Sequence, residues 1–165
     1  MAETLWPTYI FLVFLIAQRL AELVIAHRNT TRLMADGAHE VGASHYPAMV
    51  AMHAAWITTI VLAGWNESVH LLWLGVYALL QPFRFWILGT LGPRWTTRII
   101  VTDTPLVATG PFRYLRHPNY TLVAAEIIVA PMVLGLWWVA AVFTVLNALM
   151  LRHRIGVEDT AMHSV

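Results

Sequence analysis

At 165 residues the chain has the length of one domain, and 59% hydrophobic residues with a mean hydropathy of +0.64 exceed what a soluble core of that size absorbs. A net charge of +1, with every basic residue an arginine, excludes the strongly basic surface of a nucleic-acid binder. The absence of cysteine excludes disulfides and thiolate metal sites.

Residues 6–25 form the first apolar run, about 30 Å long as a helix and so matched to a bilayer core. The preceding Met-Ala-Glu-Thr-Leu lacks the basic region of a signal peptide, so this run is expected to remain as an anchored helix. Arg19 and Glu22 inside it are three apart, share a face, and read as an intramembrane ion pair. Residues 47–63 make a second span and 69–88 a third, which Pro82 should bend near its end. Residues 119–151 would be about 50 Å long as one helix, too long for one crossing and too short for two full ones. Pro131 and Gly135 near the middle predict a short helical hairpin, 119–134 and 136–151.

The arginines give the topology. Arg28 and Arg32 fall in loop 27–46, Arg94, Arg98, Arg113 and Arg116 in loop 89–118, and Arg152 and Arg154 in the tail. The connection 64–68 and the turn near Pro131 hold none. Positive charge marks the cytosolic side, so the N-terminus is expected outside. The expected fold class is all-α: a polytopic integral membrane protein with about five transmembrane segments, the last two a hairpin. It is expected to be one domain over 1–165, with three spans in 1–88 and loop, hairpin and tail in 89–165. The all-arginine composition suggests a bacterial inner membrane.

Gly110-Pro111-Phe112-Arg113-Tyr114-Leu115-Arg116-His117-Pro118-Asn119-Tyr120 concentrates polar chemistry in a stiffened loop that runs into an apolar segment. Pro118 suits the first position of a helix, whose free N–H groups receive an anion, and the arginines favour the same charge. This loop, together with Arg152-His153-Arg154-Ile155-Gly156-Val157-Glu158-Asp159, resembles the isoprenylcysteine carboxyl methyltransferases, well over about residues 82 to 160 and loosely before. The resemblance implies an integral membrane enzyme using S-adenosylmethionine, its site built from the cytosolic loop and the C-terminal tail. It assigns Gly110, Pro111, Arg113, His117, Asn119, Tyr120 and Glu158 to the cofactor. Phe112, where a tyrosine is usual, Asp159, where a second glutamate is usual, and a tail ending at Val165 depart from the eukaryotic pattern and suggest a different acceptor.

Ionisable groups within spans are costly, which makes Arg84 and Glu126 functional candidates; their plain alternative is a pair that holds helices together. Arg84 or Arg154 suits a substrate carboxylate, which arrives ionised and needs no base. A phenol or enol needs its proton removed, and Glu40, His45 and His53 are the available bases. Arg84, Arg154 and Glu126 are therefore the expected catalytic residues. No metal site is expected: His39 and His45, six apart, do not share a helical face. The expected activity is O-methylation of a lipophilic or prenylated acceptor from the bilayer, on a carboxylate or on the hydroxyl of a phenolic or polyketide-derived lipid. A non-enzymatic lipid-binding membrane protein is the alternative of another class.

Overall fold

Prolines at the first or second position start three of the five helices, because their missing N–H has no intrahelical partner there. Pro7 opens α1 (Trp6–Ala35), Pro47 opens α2 (Tyr46–Gly64), and Pro118 opens α4 (Pro118–Met132). The other two are α3 (Leu71–Leu91) and α5 (Trp137–His163). The computed structural model describes residues 5–163, the last two by backbone alone, so the end of the tail at Val165 lies outside the described residues.

Four helical stretches are long and apolar enough to cross a membrane: Trp6–Ala35, Ala43–Gly64, Leu71–Arg94 and Trp137–Ala161. The fold is an all-α polytopic membrane protein. The hairpin is there, and its first arm, α4, has 15 residues, about 22 Å, and falls short of the bilayer core. Its turn uses the two residues that predicted it. The Pro131 carbonyl accepts from the N–H groups of Leu134 and Leu136, and Gly135 sits at φ +68°, where a Cβ would strike the His70 ring at 2.9 Å. Helix α3 runs through Pro82 without interruption.

Helix α1 outruns its predicted end, and the last helix continues into the tail. Helix α1 continues through Arg28 and Arg32 because no breaker occurs before Gly37, and Asn29 fastens it by donating to the carbonyls of Gly92 (3.2 Å) and Trp95 (2.7 Å). Helix α5 continues past residue 151 and carries Arg154 and Glu158 on regular helix. A two-stranded antiparallel ladder was not foreseen: β1 (His39–Val41) pairs with β2 (Ile99–Val101), His39 opposite Val101. Three residues per strand are too few for a periodicity signal.

The ladder draws the loop after α1 and the loop after α3 to one end of the bundle. At the other end the Thr8 hydroxyl donates to the Glu67 carbonyl at 2.6 Å, and the His70 N–H donates to Val133 O at 2.8 Å. A core of Leu15, Trp56, Ile60, Ile127, Val133 and Val139 fills the space between α1, α2, α4 and α5.

Candidate functional site

Two polar assemblies occupy this frame. The deeper one is an ionic network within the helices. Glu126 of α4 is 0% exposed and Arg84 of α3 is 4% exposed. The Arg84 guanidinium donates through Nε to Glu126 Oε1 at 3.1 Å, and its other nitrogens reach Glu126 Oε2 and Glu22 Oε1. Arg19 of α1 bonds Glu22 Oε2 at 3.0 Å and Glu126 Oε2 at 2.5 Å. Two arginines and two carboxylates cancel in charge, which makes their burial tolerable. Around them Gln18 donates to Glu22 (3.1 Å) and to Gln81 (3.0 Å), and Tyr77 donates to Gln18 (3.0 Å). Sequence reasoning paired Arg19 with Glu22 and named Arg84 with Glu126 as a possible pair, but it missed Gln18, Tyr77 and Gln81. The signal for the glutamines was simply their presence in apolar spans. Arg84 is filled by protein carboxylates, and this accounts for its burial without a substrate.

The second assembly lies where the loop meets α4 and α5. Gly110 begins a 3-10 turn (Gly110–Arg113) at φ +57°, packed so closely on α3 that a Cβ would meet Thr90 Oγ1 at 2.5 Å and Trp86 Nε1 at 3.2 Å. Pro111 is buried behind it. That packing fixes the start of α4, where the His117 ring stacks on Tyr120 with centroids 5.4 Å apart. Buried His117 Nε2 has no hydrogen-bond partner among the described residues. The Tyr120 hydroxyl donates to Glu158 Oε2 at 2.7 Å. Asn119 Oδ1 accepts from Trp95 Nε1 at 3.4 Å, and Arg116 pairs with Asp159 at 2.6 Å. Arg113 stays exposed, its guanidinium 5.9 Å from the Tyr114 ring. Loop and tail, 38 residues apart between Tyr120 and Glu158, thus meet as the sequence suggested.

Arg154 joins this group. It is 4% exposed, its guanidinium stands 5.8 Å from the Tyr120 ring, and it donates to Thr97 O (2.9 Å) and Met49 Sδ (3.1 Å). No carboxylate pairs with it among the described residues. A buried guanidinium with spare donors is a receptor for an anion.

The three candidate bases have different surroundings. Glu40 is held by Arg98 at 2.6 Å. The Nδ1 of His53 lies 3.0 Å from Met49 O, so the proton of a neutral ring sits on Nδ1 and its lone pair on Nε2. His45 meets His153 edge-on at 5.1 Å.

Chemistry of this kind, at the membrane end of a loop-and-tail assembly, agrees with the sequence match. Residues 71–164 match the model of the isoprenylcysteine carboxyl methyltransferase family, which is more than half the chain. The chain belongs to the isoprenylcysteine carboxyl methyltransferase family. Over 160 residues it is 34% identical to the uncharacterized protein YpbQ of Bacillus subtilis, covering 93% of this chain and 95% of the relative. An uncharacterized protein of Haemophilus influenzae is 24% identical over 155 residues, 90% of each chain. No solved structure matches. As a family member the chain is a membrane methyltransferase, in a family whose members use S-adenosylmethionine as methyl donor. The match takes in α3, the loop, α4 and α5, and so contains the whole second assembly.

Proposed function

We propose that the protein is an S-adenosylmethionine-dependent O-methyltransferase whose acceptor is a lipophilic carboxylate drawn from the bilayer. The observation that carries this reading is Arg154, buried beside Tyr120 with no carboxylate paired to it among the described residues. The residues present suit the cofactor. His117 offers a buried unpartnered nitrogen, Glu158 a carboxylate for an ammonium, and exposed Arg113 a cation for a carboxylate. Gly110 and Pro111 set the loop against α3, and Asn119 and Tyr120 form the first turn of α4. When bound, S-adenosylmethionine supplies an electrophilic methyl group on a sulfonium.

The acceptor carboxylate is ionised at neutral pH, so no proton has to move. Arg154 holds one oxygen and orients the other, and alignment in a dry site supplies the acceleration. Arg84 and Glu126, with Arg19 and Glu22, keep α1, α3 and α4 in register so that Tyr120 and Arg154 stay opposed. Loop and tail face the cytosol, the N-terminus lies outside, and the membrane is a bacterial inner membrane.

His53 supports a second reading. Its Nε2 lone pair suits removal of a proton from the hydroxyl of a phenolic or enolic lipid. Labelled methyl groups transferred into membrane lipids separate the two. Label released as methanol by alkali identifies an ester and supports Arg154 as the acceptor's partner. Alkali-resistant label identifies an ether and transfers the central role to His53. Calorimetry with S-adenosylhomocysteine in nanodiscs tests both, since His117→Ala and Glu158→Ala should each weaken binding about tenfold or more. No binding to the unaltered protein would sink both readings.

A further inference from the structure

Beside the loop-and-tail assembly lies an open groove of about 960 Å³. Its walls are β1, through His39 and Val41, and the face of α5 that carries Leu149, Arg152, His153, Gly156 and Val157. Arg154 and Glu158 do not line it; they point from another side of the same helix.

The groove has a vertical order. Leu149 is 62% exposed and lies within the apolar stretch of α5, so it faces acyl chains. One turn on stand Arg152 and His153, beside Arg154, which bonds Thr97 O in the polar loop after α3. Among the described residues, Arg152 has no hydrogen bond or ion pair and no carboxylate lines the groove. Gly156 leaves its middle open, with nothing within 4 Å of where a Cβ would be.

An apolar foot at acyl depth, a free guanidinium and two imidazoles at headgroup depth, and no acidic wall fit one kind of occupant. We infer that this groove binds an anionic phospholipid, its phosphate against Arg152 between His39 and His153 and an acyl chain along Leu149. A zwitterionic lipid would find no carboxylate to offset its ammonium among the described walls. The lipid would fill the space between β1 and α5 and so brace the ladder against the helix that carries Arg154. The proposal concerns lipid retention and stands whether or not the methyl acceptor assigned above is correct.

Native mass spectrometry of the full chain in detergent, given equal amounts of phosphatidylglycerol and phosphatidylcholine, reads this directly. The expected result is one phosphatidylglycerol retained at least about tenfold over phosphatidylcholine, with that preference lost in Arg152→Gln. Gly156→Trp fills the groove without altering charge and should abolish retention of either lipid while leaving S-adenosylhomocysteine binding in place. Equal retention of the two lipids, or an undiminished preference in Arg152→Gln, overturns the proposal. Expulsion of the lipid by saturating S-adenosylhomocysteine would also overturn it and make the groove part of the transfer site.

Discussion

With Glu126→Gln, Arg19 and Arg84 would share a single carboxylate, Glu22, in a site closed to water. Breaking a buried ion network from one side costs about 3–5 kcal/mol, so the thermal midpoint in detergent should drop sharply while the folded fraction still binds S-adenosylhomocysteine. Adding Arg84→Met restores neutrality, and the double variant should be less destabilised than the sum of the singles. Tyr120→Phe removes the hydroxyl that donates to Glu158 and should weaken S-adenosylhomocysteine about tenfold by calorimetry. Charged residues in apolar runs were conspicuous in the sequence, which is why Arg19, Glu22, Arg84 and Glu126 were all noticed. The pairs Arg19–Glu22 and Arg84–Glu126 were legible, whereas the cross bonds of Arg19 to Glu126 and of Arg84 to Glu22 were not, because only packing brings three helices together that way.

Helices were legible where composition alone decides them, and their ends were not. Nothing in residues 26–35 opposes a helix, yet whether it forms depends on Asn29 finding the carbonyls of Gly92 and Trp95, over sixty residues away. The hairpin followed from Pro131 and Gly135, because a proline and a left-handed glycine constrain the backbone locally. Gly110 belongs to the same class and permits a test of its element. Gly110→Ala puts a Cβ against Thr90 Oγ1 and keeps φ at +57°, so both packing and backbone should suffer. Adding Thr90→Ala relieves the collision but not the backbone strain. Limited proteolysis of the loop should therefore show partial recovery, and full recovery would mean that φ at residue 110 relaxes freely.

At the scale of the molecule, the ladder and one end of each of the five helices gather on one side, and this is where the arginine count put the cytosol. Without native cysteines the chain is suited to single-site labelling. Asn66→Cys, in the connection between α2 and α3, should react with a membrane-impermeant maleimide on intact cells. Leu115→Cys, in the loop between α3 and α4, should react only after permeabilisation; the reverse pattern would invert the topology. The general plan was readable because hydropathy and charge asymmetry act over whole segments. The site was readable in its parts through the loop motif and the tail, whereas the opposition of Tyr120 to Arg154 and Glu158 is a product of how α4 and α5 fold back on each other.

The ionic network also imposes an order on biogenesis. Glu126 is synthesised 107 residues after Arg19 and 42 after Arg84, so the first helix reaches the translocon long before its distant partner exists. Arg19 and Glu22, three apart, let that helix enter already neutralised by its own side chains. The third helix then brings an arginine with half a partner, and only the arrival of the hairpin completes the set. The carboxylate of Glu126 acts as a latch on the network, closing it when α4 arrives after α1 and α3 have been made and before α5 follows.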